Sequence, residues 1–192
     1  MKTLNQYIKE KLIINKNYRE VKIDDVKSFG ELRQIIEYRY DKLGAGTERD
    51  PIDFNDIDVS NFDSFCNELD KGIFDGMNFK YIDISDWDVS NVTNMRCMFF
   101  DCGELKSVGD LSNWDVSNVT DMSSMFYECN ELKFIGDISK WNVSKVTNMT
   151  YMFNYCKKFN QDLSCWNVSN VIYKDSIFDN CPIKEEYKPK FK

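Results

Sequence analysis

The sequence predicts an α/β repeat fold, a right-handed solenoid of about five coils behind an N-terminal α/β cap. Two observations carry this. Trp87, Trp114, Trp141 and Trp166 recur at intervals of 27, 27 and 25 residues, and the text around them nearly repeats: DISDWDVSNVTNMRCMFFDC, DLSNWDVSNVTDMSSMFYEC, DISKWNVSKVTNMTYMFNYC, DLSCWNVSNVIYKDSIFDNC. Each copy also changes its apolar spacing halfway along, so each coil needs two kinds of backbone. Self-similarity at this period is the signature of a stacked architecture.

Residues 1–52 have a different grammar and read as an N-terminal helical or α/β capping segment. Thr3 with Gln6 forms a capping box for a helix carrying Leu4, Tyr7, Ile8 and Leu12. Val21 and Ile23 alternate with polar neighbours as in a short strand. Ser28 with Glu31 opens a second helix whose apolar face is Leu32, Ile35, Ile36, Tyr40 and Leu43, with Gly44 at its stop. Two roles stay open for this segment: a cover for the open end of the repeat core, or a separate docking module.

Residues 53–181 hold the repeats, starting near 53, 83, 110, 137 and 162, and residues 182–192 form a tail. The first copy is degenerate, DFNDIDVSNFDSF, with Ile57 in the tryptophan position. The first half of a copy, such as Asp110 to Trp114, predicts a short strand or extended turn with Leu111 inward. In the second half Val119, Met122, Met125, Phe126 and Cys129 make a stripe that predicts a short helix, with Asn118 or Thr120 as its cap. Strands about 4.8 Å apart opposite helices about 8–10 Å apart would bend the stack into an arc with the strands on the concave side.

The phrase WDVSNVTNMxxMFxxC, with an Asp-Leu/Ile-Ser triplet before the tryptophan, closely resembles the BspA-like leucine-rich repeat family. The resemblance covers about residues 53–181. It implies a leucine-rich-repeat-like solenoid that mediates binding, and it brings no catalytic residues with it. Members occur on bacterial and mycoplasma surfaces, and similar repeats occur in viruses and phages.

Composition excludes several function classes. A formal charge of −7 disfavours a nucleic-acid backbone or an anionic membrane as partner and suits a basic protein surface. With no histidine, Ser-His-Asp and Cys-His nucleophile systems and histidine-ligated metals are unavailable. Lys9, Glu10 and Lys11 interrupt what a secretion signal needs to be apolar, and no stretch approaches a membrane span. The expected place is therefore the cytoplasm, or a host's cytoplasm for a viral protein. No phosphate loop, nucleophile elbow or EF-hand spacing is present.

Four of the seven cysteines, Cys102, Cys129, Cys156 and Cys181, each follow a tryptophan by fifteen residues and read as one small core position. On helices 8–10 Å apart they would be too distant to bridge, and there is no CxxC pair for zinc. Cys165 stands at a variable position and is the expected exposed thiol. The methionine and phenylalanine files read as core packing.

The candidate binding residues are an acidic row, Asp53, Asp83, Asp110, Asp137 and Asp162, four places before each tryptophan position, and a serine row two places on, Ser85, Ser112, Ser139 and Ser164. The row of like charges persists if each carboxylate accepts backbone hydrogen bonds in its own turn, if it is simply solvated, or if it meets a basic partner or a cation. Its uniformity argues against paired catalytic carboxylates, which need two unlike environments.

The expectation is a non-catalytic, protein-binding solenoid with no cofactor and no metal, such as a phage or viral accessory protein that binds a host protein. The alternative is a structural or adhesion module of a virion or cell surface.

Overall fold

A computed structural model describes residues 26–191. The expected helix at Leu4–Leu12 and the strand at Val21–Ile23 lie outside the described residues.

Helix α1 spans Phe29–Leu43. The Ser28 hydroxyl accepts from the Glu31 N–H at 3.2 Å while the Glu31 carboxylate accepts from the Lys27 N–H at 2.8 Å, a reciprocal lock on the first turn. Gly44, at φ 76°, ends the helix and donates to the Tyr40 carbonyl. Leu32, Ile35 and Ile36 are buried, Tyr40 packs edge-on against Phe79, and Leu43 is exposed rather than on the buried face. Arg39, one turn before Leu43, is on the buried face instead and is 2% exposed.

Successive copies of the repeat lie side by side. Strand β1, Ile52–Asp53, pairs in parallel with β2, Ile82–Asp83. Pairing thus begins one residue before the expected repeat boundary. In the next two copies the residues just after the corresponding position form a 3₁₀ turn, Leu111–Asn113 and Ile138–Lys140. A file of parallel bridges, Ser64 to Asn94 to Asp121 to Asn148 to Tyr173, joins every copy to the next. The tail returns onto the last copy, where the Leu163 N–H donates to the Tyr187 carbonyl.

The second half of each copy is not a helix. In the third copy the N–H groups of Met122, Ser124, Phe126 and Glu128 donate to the carbonyls of Asn148, Thr150, Met152 and Asn154 in the next copy. Between them, Met125, Tyr127 and Cys129 donate three residues back. Ser124 and Glu128 have φ of 54° and 58°, and Cys97, Asp101, Tyr151, Tyr155, Ser176 and Asn180 repeat this in their own copies. A right-handed helix admits no positive φ and sends its N–H groups four residues back within the chain. Three-residue turns place apolar side chains at nearly the same spacing as a helix, so the stripe alone cannot separate the two. Left-handed backbone at non-glycine residues costs about 1–2 kcal/mol each, and the bonds between copies offset it.

The spacing that was expected to bend the stack is also absent. Phe74, Phe99, Phe126 and Phe153 stack nearly parallel, with centroids 5.1, 5.2 and 5.5 Å apart, rather than the 8–10 Å of adjacent helices. The core is continuous from Leu32 in α1 to Ile183. Its indole N–H groups are paired file by file. Each tryptophan Nε1 donates to a carbonyl of the preceding copy: Trp87 to Phe54, Trp114 to Ile84, Trp141 to Leu111 and Trp166 to Ile138. Thr93, Thr120 and Thr147 do the same with their hydroxyls.

Candidate interaction face

Each acidic-row residue is first of all a brace for its own turn. Asp53 accepts from the Asn55 N–H at 2.9 Å, Asp83 from the Ser85 N–H at 3.0 Å, Asp110 from the Ser112 N–H at 3.0 Å and Asp162 from the Ser164 N–H at 2.9 Å. Asp137 differs: it accepts from the Ser139 hydroxyl at 2.6 Å and pairs with Lys140 at 3.2 Å. The serine row serves the same turns, since the hydroxyls of Ser85 and Ser112 also donate to Asp83 and Asp110. Ser112 reaches the next coil as well, its oxygen accepting from the Asp137 N–H at 2.6 Å.

These bonds set the protonation of the row. Hydrogen bonds from Ser112, hydroxyl first and amide second, hold the Asp110 carboxyl below the usual range. Bonds from Ser139, then Lys140, do so for Asp137, and Ser164 does so for Asp162. At Asp83 burial pushes upward, and the Ser85 and Asn55 bonds overcome it. A row of carboxylates that accept local donors is compatible with close stacking.

Between coils, the stacking leaves no room for a side chain at the residue before Asp110 or Asp137. A Cβ on Gly109 would lie 2.4 Å from Asp83 Oδ1, and one on Gly136 would lie 2.0 Å from Asp110 Oδ1. Both glycines have positive φ, 86° and 92°. The Gly-Asp step therefore belongs to the turn as much as the aspartate does.

Two grooves adjoin the row. The first, about 600 Å³, is lined by Tyr81, Asp83, Lys106, Lys133, Phe134 and Lys158 among others. The second, about 460 Å³, is lined by Phe134, Asp137, Ser139, Asp162, Cys165 and Tyr187 among others. The structure thus brings Asp83 to one groove and Asp137, Asp162 and Ser139 to the other. Asp53, Asp110, Ser85, Ser112 and Ser164 line neither.

Phe134 stands between the grooves with 60% of its surface exposed. Lys106 lies over the Tyr81 ring, its Nζ 5.8 Å from the centroid, and Lys158 pairs with Glu131 at 2.6 Å. The acidic row drew attention in the sequence, whereas Phe134 and these lysines did not. The repeated Glu-Leu-Lys of residues 104–106 and 131–133 was the available signal, with Phe134 immediately after it. Two further files brace turns in the same way and were also missed. Asp88 accepts from the N–H of Ser90 and Asp115 from that of Ser117, and Asp121 accepts from that of Ser123.

All seven cysteines are free. Cys102, Cys129 and Cys156 donate to the carbonyls of Phe74, Phe99 and Phe126 at 3.1, 3.1 and 2.9 Å. Burial pushes the Cys102 thiol up to about 12 and holds those of Cys129 and Cys156 well above the ordinary value. The expectation that helix spacing would hold this file apart fails with the helices. Each thiol is instead committed to a carbonyl of the preceding copy. Cys165 is exposed. Among the described residues no group of three or more Cys, Asp or Glu could hold a metal ion, and no helix is long and apolar enough to cross a membrane.

The geometry defines a tandem-repeat protein in which each copy completes the hydrogen bonding of the one before it. The chain belongs to the family described as "Mycoplasma protein of unknown function, DUF285", whose model matches residues 50–133 and 106–185. Neither a curated protein nor a solved structure matches it.

Proposed function

We propose that the chain is a non-catalytic, protein-binding member of the BspA-like leucine-rich repeats, a right-handed solenoid that holds a protein partner along the two grooves beside its acidic row. The observation that carries the reading is Phe134. A large apolar side chain, mostly exposed, separates two concave surfaces, one lined with lysines, Asp83 and Tyr81 and the other with Asp137, Asp162 and Tyr187. Exposed aromatic anchors ringed by polar groups are what protein interfaces use. The acidic row contributes charge to the walls at Asp83, Asp137 and Asp162, while its main work is in the turns.

The test is cross-linking in extracts of the native source with a lysine-reactive reagent, followed by mass spectrometry. The expected result is one partner linked through Lys106, Lys133 or Lys158, lost with Phe134→Ala and Lys133→Glu together. Partner capture that is unchanged by this pair of substitutions would place the binding surface elsewhere.

A further inference from the structure

From Met122 to Glu128, and at the equivalent positions of the next copy, alternate amides point toward the C-terminal end, and in the fifth coil three such amides meet no acceptor among the described residues. Met149, Tyr151, Phe153 and Tyr155 donate to the carbonyls of Tyr173, Asp175, Ile177 and Asp179. One coil on, the corresponding positions include Ser176, Phe178 and Asn180. Among the described residues none of these three N–H groups has an acceptor. The same end carries apolar side chains in the open: Ile172 is 69% and Tyr173 59% exposed, with Tyr151 and Tyr155 exposed one coil earlier.

The other end of the stack is closed. In the first coil the carbonyls that face outward are those of Ile73 and Asp75, by correspondence with Met98 and Phe100. Arg33 donates to both, and to Gly72, while Arg39 donates to Asp53. Two guanidinium groups on α1 stand in for the amides of a missing coil. Among the described residues none bonds to the amides of Ser176, Phe178 and Asn180, although the tail lies beside them, with Lys188 over the Phe178 ring and Phe191 under Lys174.

We infer that the C-terminal end is a docking edge for one further coil of the same kind, supplied by another repeat-bearing chain. The bonding pattern selects this occupant. An ordinary β-strand presents N–H and C=O in alternation along one edge, so part of it would set donor against donor here. From Asn148 to Asn154 alternate carbonyls of this repeat face its N-terminal side, which complements a row of donors, while only the amides of Thr147 and Asn148 face the same way. A second copy of this chain with α1 seated does not qualify, because Arg33 and Arg39 already occupy its carbonyls. The partner is thus a repeat chain whose first coil is uncovered. Phe178 continues the stacked file from Phe153, with centroids 5.9 Å apart, and offers the next ring a surface. Lys188, whose Nζ lies 5.9 Å from the Phe178 centroid, has to move aside for it.

The experiment uses the full chain and, as probe, a synthetic peptide of residues 145–157 carrying Cys156→Ser. This is one rung with its own carbonyl edge. Amide hydrogen exchange is followed residue by residue, with a scrambled peptide as control. The expected result is saturable slowing, by at least about tenfold, at Ser176, Phe178 and Asn180, absent with the scrambled peptide. No slowing at millimolar peptide, equal slowing by the scrambled peptide, or binding that protects other amides and not these would each overturn the proposal.

Discussion

Arg33 Nη2 donates to the Asp75 carbonyl at 3.1 Å, the position that one coil later is filled by the Gly76 N–H donating to Phe100. A side chain of the preceding helix therefore completes the pattern that the repeats complete for one another elsewhere. Arg39 does the same at Asp53 and also makes a bidentate pair with Asp56, at 2.7 and 2.6 Å, in which both side chains are at most 10% exposed. Arg39→Met leaves the Asp56 carboxylate buried without its partner and should cost about 3–5 kcal/mol. Urea denaturation measures it. A loss below about 1 kcal/mol would mean that α1 does not seal this end.

Gly136→Ala sets a methyl against Asp110 Oδ1 and the Leu111 amide, at a φ that alanine resists. Strain and overpacking together should cost about 3 kcal/mol. Gly30→Ala, where nothing lies within 4 Å, is the control and should be neutral or slightly stabilising within its helix. Calorimetric melting of the two variants beside the parent checks the pair.

The acid limb of stability should come partly from the aspartate row. Asp83, Asp110, Asp137 and Asp162 have lowered folded pKa values. A lowered value contributes stability above the unfolded pKa, near 4, and loses it as pH falls through the folded value. The denaturation midpoint should be flat from about pH 7 to 5 with respect to these groups and decline below about pH 4. Changing all four to Asn should flatten that decline. Asp110→Asn alone should cost under about 1 kcal/mol, because Asn142 and Asn167 make the same kind of side-chain bond to the amide two residues on, in the turns that Asp88 and Asp115 brace in other copies.

Thiol chemistry should separate the cysteines by burial. Cys165 should react with a maleimide within minutes at neutral pH, while Cys102, Cys129 and Cys156 react only as the chain unfolds. Peptide mapping after timed labelling reads this out. Early modification of Cys129 would contradict its burial and its bond to the Phe99 carbonyl.

Much of this was legible in the sequence, for physical reasons that differ by element. The repeat showed because identical coils need identical inward residues, and Trp114, Met125 and Phe126 are all buried as their spacing requires. The α1 stop at Gly44 and its lock at Ser28 and Glu31 were local chemistry and readable as such. The helix expected at Val119–Cys129 was not separable from turns, because three-residue turns carry the same apolar rhythm. The difference lies in where Phe126 sends its amide, which no spacing records. Arg39 was illegible for a related reason: its burial depends on the Asp53 carbonyl and the Asp56 carboxylate, contacts between segments. Phe134 follows a repeated Glu-Leu-Lys, yet one exposed aromatic in a sequence has no distinguishing period.

Met125→Ala tests the packing beneath that rhythm. The side chain is fully buried, and its removal should cost about 2–5 kcal/mol. A denaturant midpoint near the parent's would place this stripe outside the core.

The central claim is that successive copies hold one another through amides of one bonded to carbonyls of the next. Scalar coupling across hydrogen bonds, read by NMR on ¹⁵N,¹³C-labelled protein, tests it at a single atom pair. The account predicts a coupling between the Phe126 amide nitrogen and the Met152 carbonyl carbon, whose N···O distance is 3.0 Å. A coupling from Phe126 to the Met122 carbonyl carbon would show a helix within each copy and contradict the account.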